Sequence, residues 1–261
     1  MDSVETTVPV EQEVPKGFWH KLWREIIRPY GETIASVLLF TTFLATPVGV
    51  QGVSMMPNLR DGERVIIPKY EQWLHRMGIG QYSRGDILIF KPPEHVGEQK
   101  VSFLGLWQYQ PFLIKRLIGL PGDRIRVNSG NVFINGEKLD QDFTAGYWDK
   151  QGCWDQTGFL ANHASSDEPD KEEVTVPEGS YFVMGDNRTA SGSTDSRIFG
   201  MVPIENVSGR AGLIVWPIVR KREAKFDCEK EIQGSEGFEY SGETEMNWRL
   251  LQRPSAFSLL K

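Results

Sequence analysis

Two residues far apart in the chain, Ser54 and Lys115, have the types and surroundings that nucleophilic catalysis requires. A serine hydroxyl is a weak nucleophile at neutral pH, so it needs a neighbouring group that accepts its proton. A lysine amine can accept a proton only when neutral, and burial among apolar side chains lowers the lysine pKa from its usual ~10.4. Because Lys115 lies in the strongly apolar segment 112–120, the sequence predicts Ser54 as a nucleophile and Lys115 as its general base.

Both residues also have an ordinary interpretation. Ser54 could be a turn serine before Pro57, and the Lys115 stem could lie along a sheet while its ammonium group reaches solvent. Strand alternation places Arg116 on the face opposite Lys115, where we expect it to be exposed or paired with an acid.

A polar segment, residues 184–197, follows a predicted strand and is rich in hydroxyl groups, glycines and Asp/Arg pairs. Such a composition predicts a hydrogen-bonded loop, although a solvated turn is the alternative. A serine of this loop could orient the Lys115 amine toward Ser54. Four charged side chains are expected to pair and fix the loop: Asp186, Arg188, Asp195 and Arg197.

Other kinds of site have little support in the sequence. His75 and His95 lie in polar or Pro-rich segments, and neither has a compelling acidic partner in the sequence, so a Ser-His-Asp triad is not expected. No cysteine or histidine spacing matches a zinc site, and no metal or cofactor is predicted. The net charge of −6 disfavours nucleic acid as a partner. Cys153 and Cys228 could form a disulfide outside the cytosol, but free buried thiols are equally compatible.

The longest uncharged apolar run, residues 34–50, precedes Ser54. As a helix it would be ~25 Å long, slightly under the ~30 Å hydrocarbon core of a bilayer. Pro47 would end that helix near Thr46. We predict a transmembrane anchor over residues 31–47 that follows a cytosolic segment, residues 1–30; a cleaved signal peptide and a buried core helix are the alternatives.

Aromatic residues and cations interleave just before this run, and no comparable excess of cations follows it. This asymmetry predicts a single-pass protein of a cell membrane, with a cytosolic N-terminus and an extracytoplasmic chain from about Val48 onward. The lipid bilayer is thus a predicted partner.

Beyond the anchor, apolar residues recur with period two or in short runs separated by turn signals such as Asn135-Gly136. We predict a mainly β fold: an antiparallel, barrel-like catalytic domain over residues 48–222 with little helix. Residues 139–175 are polar and irregular, which predicts a cap inserted on the sheet. Residues 223–261 are predicted to be a polar, solvated C-terminal tail.

Four segments taken together resemble the conserved boxes of bacterial type I signal peptidases, also called leader peptidases, over roughly residues 31–216. They are Ser54-Met55-Met56-Pro57, Arg84-Gly85-Asp86-Ile87, Lys115-Arg116-Leu117-Ile118-Gly119-Leu120-Pro121-Gly122-Asp123, and Gly185-Asp186-Asn187-Arg188 with Asp195-Ser196-Arg197. The resemblance implies a membrane-bound Ser/Lys dyad endopeptidase. Its substrates would be exported preproteins, whose signal peptides it removes after small-x-small sites.

The resemblance also implies an oxyanion hole to which the Ser54 N–H contributes. Some members carry a serine where Gly52 stands, and its hydroxyl completes the hole; here the second donor must be a backbone N–H or water. Asn58 stands at a position that is usually threonine, and we expect this difference to matter little.

The polar loop is two residues longer than the usual family box. The serine that orients Lys115 is therefore Ser191 when counted from Gly185 and Ser193 when counted back from Asp195. We prefer Ser193 because it keeps the two-residue offset to Asp195.

A signal peptide could bind as an added strand beside residues 48–53, with small pockets that admit short side chains. Val50, Met55 and Ile114 are the candidate pocket walls. A self-cleaving repressor-type protease shares this chemistry, but residues 1–30 are too short for its DNA-binding domain. An inactive, membrane-tethered binding module is disfavoured by the presence of both Ser54 and Lys115. The preproteins cut and the oligomeric state stay open.

Overall fold

The computed structural model describes residues 16–93, 101–103, 107–109, 111–128, 130–153, 173–189, 192–227 and 238–259. The chain divides into two compact units, Met1–Leu44 and Ala45–Lys261.

The described part of the first unit is helical throughout. Its segments are α1 (Lys16–Leu22), a π-helical turn (Trp23–Ile27), α2 (Arg28–Leu39) and a second π-helical turn (Phe40–Leu44). Pro29 is the second residue of α2, which continues directly from the first π-helical turn: Ile27 has helical φ and ψ, and Arg28 N donates to Trp23 O. Large apolar side chains such as Ile34, Leu38 and Phe43 are exposed along this unit.

Among the described residues, no helix combines the length and the apolar character needed to cross a bilayer. The predicted end of the anchor is also corrected by the structure. The helical segments stop at Leu44, and residues 45–47, which the sequence assigned to the anchor, belong to the first strand. The reason is pairing: Ala45, Thr46 and Pro47 lie opposite residues of the next strand in an antiparallel ladder.

The second unit is mainly antiparallel β, which confirms the predicted fold class; closure into a barrel stays a prediction. Its strands are β1 (Ala45–Gly49), β2 (Arg64–Pro68), β3 (Ile87–Phe90), β4 (Val101–Phe103), β5 (Trp107–Tyr109), β6 (Leu113–Gly119), β7 (Arg124–Asn128), β8 (Asn131–Ile134), β9 (Glu137–Lys138), β10 (Glu173–Thr175), β11 (Ser180–Met184), β12 (Val202–Pro203), β13 (Val207–Arg210), β14 (Leu213–Trp216), β15 (Val219–Phe226), β16 (Phe238–Met246) and β17 (Arg249–Leu250). Its α-helices are short: α3 (Lys69–Arg76), α4 (Ala145–Lys150) and α5 (Ser196–Phe199).

Three sheets carry most of the second unit. Their strand orders are β1-β2-β14-β17, β10-β7-β8-β9 and β12-β11-β6-β3-β13. Strand β1 is an edge strand of the first sheet, whereas β6 is the central strand of the third. Every residue of β6 after Leu113 is buried, so the side chains of both its faces lie away from water.

The C-terminal residues correct the prediction of a solvated tail. Strands β15 and β16 pair as an antiparallel hairpin, β17 joins the first sheet, and Phe257 is buried in the core. Phe226 is likewise buried, against Met56 and Trp148. The composition of the segment is polar because the exposed hairpin is charged, and the few apolar residues that anchor it are dispersed.

Cys153 forms a disulfide, so the alternative of a free buried thiol is wrong for this residue. Cys228, the other cysteine of the chain, lies outside the described residues. In the described part of the predicted cap, Trp148 is fully buried and packs with Met56 and Phe226.

Candidate active site

Ser54 lies in the turn that joins β1 to β2. The turn is closed by hydrogen bonds from Val50 N to Glu63 O at 2.7 Å and from Leu59 N to Met55 O at 2.9 Å. Met55 and Leu59 are buried and fix the turn against the core, whereas Ser54 is only half-buried. The turn therefore holds the hydroxyl at the boundary between core and solvent.

Lys115 reaches this hydroxyl from the centre of the third sheet. Its Nζ lies 2.5 Å from Ser54 Oγ, within hydrogen-bonding distance, and only 3 % of the residue is exposed. The alternative of an ammonium group in solvent is therefore wrong. Burial lowers the pKa of Lys115 to about 8. At pH 7 a group with that pKa is neutral in roughly one molecule in ten, far more often than an exposed lysine.

Charges near Lys115 act in both directions on its pKa. Desolvation has the largest effect, Asp195 and Asp186 favour the ammonium form, and Arg197 disfavours it. Burial prevails because the two carboxylates are themselves engaged by arginines, so the pKa of Lys115 stays below that of an exposed lysine.

The loop after β11 begins beside Lys115 because Met184, the last residue of β11, pairs with Arg116. Arg116 is buried and donates to Asp186 through Nε at 2.8 Å and Nη2 at 2.6 Å. Its Nη1 donates to Gly85 O at 2.7 Å. The expectation that Arg116 pairs with an acid is thus confirmed.

The same loop is tied to the serine turn by Asp186 and its neighbour. Asn187 N donates to Ser54 O at 3.0 Å, and Asn58 Nδ2 donates to Asp186 Oδ2 at 2.9 Å and to Phe143 O at 3.1 Å. The expectation that Asn58 matters little missed these contacts. The sequence did show a polar residue, Asn58, three positions after Met55. That spacing could not indicate that the Asn58 side chain would bind Asp186.

Trp148 and Thr144 extend this attachment to the predicted cap. Trp148 Nε1 donates to Asp186 O at 2.8 Å and to Met56 O at 3.2 Å, and Thr144 Oγ1 also donates to Asp186 O. The cap thereby contacts both the serine turn and the polar loop, a role for which its irregular sequence provided no signal.

The predicted pairing of charges within the loop is correct for one pair and wrong for the other. Asp195 accepts from Arg197 Nε at 2.9 Å and Nη2 at 3.0 Å, and it also accepts from Gly185 N at 2.8 Å. Arg188 instead donates to Gly185 O at 2.8 Å and to Gln141 Oε1. Asp186 is paired with Arg116 instead, which donates to both of its carboxylate oxygens.

Ser193 is buried beside the serine turn, and Ser191 lies outside the described residues. A Cβ atom on Gly185 would lie 2.2 Å from Ser193 Oγ and 2.5 Å from Ser54 O, so these three residues meet closely. Within the described chain, however, Ser193 Oγ has no hydrogen-bond partner. The predicted hydrogen bond from Ser193 to Lys115 is therefore not formed.

Backbone N–H groups near Ser54 differ in their availability. Gly52, with a φ of +80°, donates its N–H to Asp61 Oδ1 at 2.7 Å. Among the described residues, the Ser54 N–H has no acceptor, so it is free to donate to a developing negative charge. The Gly52 N–H is therefore already used in a hydrogen bond within the turn, whereas the Ser54 N–H could donate to an oxyanion.

Val50, Met55 and Ile114, the candidate pocket walls, lie together in one apolar cluster with Ile87 and Ile89. All three are buried. The structure thus brings them together below the serine turn, where their side chains contribute to the core.

Comparison with known proteins agrees with this arrangement. The family described as signal peptidase, peptidase S26, matches residues 23–216. A probable signal peptidase I-2 of Synechocystis sp. is 30% identical, over 87% of this chain and 87% of its own length. The signal peptidase I of Leptolyngbya laminosa is 33% identical, over 75% of this chain and 81% of its own. The signal peptidase I U of Bacillus subtilis is 34% identical, over 73% of this chain and 87% of its own.

The family match includes the serine turn, strand β6 and the polar loop, and the three relatives align along most of their own length. The chain therefore belongs to the bacterial type I signal peptidases of peptidase family S26, serine endopeptidases that remove signal peptides.

Proposed function

We propose that Ser54 and neutral Lys115 form the catalytic dyad of this peptidase. The observation that carries the proposal is the 2.5 Å separation of Lys115 Nζ from Ser54 Oγ at a buried amine whose pKa is lowered to about 8. A neutral amine at that distance can take the hydroxyl proton as the oxygen attacks.

The reaction then runs in two halves. Ser54 Oγ bonds to the scissile carbonyl carbon while its proton moves to Lys115 Nζ, and the Ser54 N–H donates to the oxyanion. The Lys115 ammonium group gives the proton to the departing amine, and the C–N bond breaks. In the second half, a water loses its proton to Lys115 and hydrolyses the acyl-enzyme, after which Ser54 recovers its proton.

Substrate binding is proposed at the free edge of β1. This strand pairs on one side with β2 and is an edge strand of its sheet, so its other side can accept an extended peptide as an added strand. Val50, Met55 and Ile114 would lie beneath the residues next to the scissile bond and admit only short side chains. This arrangement fits cleavage after small-x-small sequences.

A membrane location is proposed with a cytosolic N-terminus and an extracytoplasmic second unit. Two observations support it. The side chains of the first unit are largely apolar and exposed, which suits lipid better than water. Cys153 is oxidised to a disulfide, a state that persists outside the reducing cytosol.

A fluorogenic peptide with an Ala-x-Ala cleavage site tests the dyad directly. Ser54→Ala and Lys115→Ala should each abolish cleavage while the unfolding temperature stays near that of the wild type. Ser241→Ala and Lys138→Ala, at exposed residues far from the dyad in sequence, are the matched controls and should cleave normally. Near wild-type cleavage by either dyad variant would overturn the proposal.

A further inference from the structure

The C-terminal segment, residues 217–261, begins where the family match ends, at residue 216. Its described part consists of the hairpin β15–β16, strand β17 and a 3₁₀ turn over Ser255–Ser258. Strand β17 pairs with β14 in the sheet whose first strand is β1. Arginine side chains of this segment reach the turn that carries Ser54.

Glu63 closes the serine turn and is almost fully buried, with 2% of the residue exposed. Its backbone O accepts from Val50 N at 2.7 Å, and its Oε2 accepts from Arg60 N at 3.0 Å. The other carboxylate oxygen, Oε1, lies 2.9 Å from Nη1 of Arg220 in β15 and 3.7 Å from Nη1 of Arg249 in β17. Because a buried carboxylate without a counter-ion is costly, the turn depends on these two arginines of the C-terminal segment.

Arg249 also binds the backbone of the turn. Its Nη2 donates to Asn58 O at 2.6 Å, and its Nη1 donates to Oδ1 of the buried Asn247. The Asn58 carbonyl lies four residues after Ser54, in the same turn. A guanidinium donor makes a charge-assisted hydrogen bond, roughly twice as strong as a neutral one. Arg249 therefore holds the turn at a second point in addition to Glu63.

Ion pairs of the hairpin hold these arginines in place. Arg220 Nε donates to Glu245 Oε1 of β16 at 2.7 Å. Glu223 of β15 lies 2.7 Å from Arg60 Nε of the serine turn and accepts from Tyr147 Oη at 2.9 Å. The turn, the hairpin and the predicted cap are thus joined in one network of charges, and networks restrict side chains more than isolated surface pairs do.

The location of this network matters for the Ser54–Lys115 contact. Ser54 is carried by the first sheet, in the turn after β1, whereas Lys115 belongs to β6 of the third sheet. The 2.5 Å separation of Ser54 Oγ and Lys115 Nζ therefore depends on where the turn is held. A displacement of ~1 Å at a reacting group can lower a rate about a hundredfold.

We propose that Arg249 is a positioning residue of the peptidase, and that Arg220 supports it through Glu63. Bound to the two arginines, the serine turn keeps Ser54 Oγ within reach of Lys115 Nζ. Arg249 itself exchanges no proton and touches no reacting atom. This inference rests on the proposed dyad of Ser54 and Lys115.

Steady-state cleavage of a soluble Ala-x-Ala peptide by the full chain, well below the unfolding temperature, tests this role. Arg249→Met keeps the length of the side chain and removes every donor, so kcat should fall about tenfold while KM changes less than twofold. Arg249→Lys keeps the charge and one donor group, and should recover at least about a third of the wild-type kcat. A fall in kcat at constant KM reports misplaced catalytic groups, since the peptide still binds.

Two control variants separate positioning from stability. Arg124→Met, at an exposed arginine of β7 whose Nη1 lies 3.3 Å from Glu173 Oε1, removes an ion pair of another sheet and should cleave normally. Val132→Ala leaves a cavity at a fully buried residue of β8 and should lower the unfolding temperature at least as much as Arg249→Met, with kcat unchanged. If Val132→Ala and Arg249→Met lose kcat equally, the loss reflects stability and the proposal is wrong.

The outcomes distinguish this role from the dyad. If Ser54→Ala or Lys115→Ala still cleaves, the dyad is wrong. If both are inactive and Arg249→Met has the wild-type kcat, the dyad stands and the positioning role is overturned. Should Arg249→Met fail to fold, Arg220→Met replaces it, because it leaves the Asn58 carbonyl bonded. We expect about a threefold fall in kcat at unchanged KM for Arg220→Met, and in that case a wild-type kcat would overturn the proposal.

Discussion

Arg116 and Asp186 form a buried, bidentate ion pair directly beside Lys115, with N–O distances of 2.8 and 2.6 Å. The pair joins the central strand β6 to the polar loop, and Asp186 in turn accepts from Asn58 of the serine turn. A single carboxylate therefore holds together the three segments that carry Ser54, Lys115 and the loop.

Removing the carboxylate should destabilise the protein strongly. Asp186→Ala leaves the Arg116 guanidinium buried without its counter-ion, and breaking a buried pair in this way costs about 3–5 kcal/mol. Urea unfolding followed by circular dichroism measures the loss. The exposed pair of Arg222 with Glu243 is the control, since Glu243→Ala should cost less than about 1 kcal/mol. Equal losses for the two variants would contradict the assigned importance of the buried pair.

The rate of cleavage should depend on pH through Lys115. The proposed general base, Lys115, must be neutral to act, and its pKa in the free protein is about 8, so kcat/KM should rise with pH, reach half of its maximum near pH 8 and level off above it. Initial rates on a soluble peptide between pH 6 and 10 test this. The relevant group is neutral above its pKa, so activity is lost on the acid side.

A substitution next to Lys115 tests whether this lysine causes the loss of kcat/KM at low pH. Arg197 disfavours the ammonium form of Lys115, so Arg197→Gln should raise the Lys115 pKa and move the midpoint to higher pH. Lys221→Gln, at an exposed cation, should leave the midpoint unchanged. A profile that stays flat from pH 6 to 10 would exclude Lys115 as the group that titrates.

Asn58 should act as a positioning residue for the nucleophile. Asn58→Leu removes two hydrogen bonds, to Asp186 and Phe143. Without them the turn that carries Ser54 is held less firmly against the polar loop. A loss of about 1–2 kcal/mol would reduce kcat roughly tenfold with little change in KM. Asn58→Thr keeps a donor and should recover part of the rate. If Asn58→Leu and Asn58→Thr cleave equally fast, the hydrogen bonds do not position Ser54.

Gly185 should tolerate no side chain. Its Cβ would lie 2.5 Å from the carbonyl oxygen of Ser54 and 2.2 Å from Ser193 Oγ, so Gly185→Ala must displace the backbone of the serine turn. We expect at least a hundredfold loss of kcat, about 2.7 kcal/mol or more in barrier height. Gly146→Ala in α4 meets no atom within 4 Å and should cleave normally. Wild-type kinetics for Gly185→Ala would show that the polar loop can move away from Ser54 without loss of activity.

The two central residues of the candidate site could be proposed from the sequence because each stands in a short segment with a distinctive composition. Ser54 lies in a methionine- and proline-containing turn after an apolar run, and Lys115 lies among aliphatic residues where a charge is unexpected. The strands around them were recognisable too, since alternation of apolar and polar residues reports the two faces of a sheet.

Which distant residues meet was not readable from those local patterns. The pairing of Arg116 with Asp186 instead of Arg188 with Asp186, the bond from Asn58 to Asp186, and the return of the chain to bury Phe226 and Phe257 all join residues far apart in sequence. The packing of the sheets determines which of these residues meet, because an ion pair or an apolar contact requires proximity in space. Such contacts between distant residues produce no repeating pattern in the sequence.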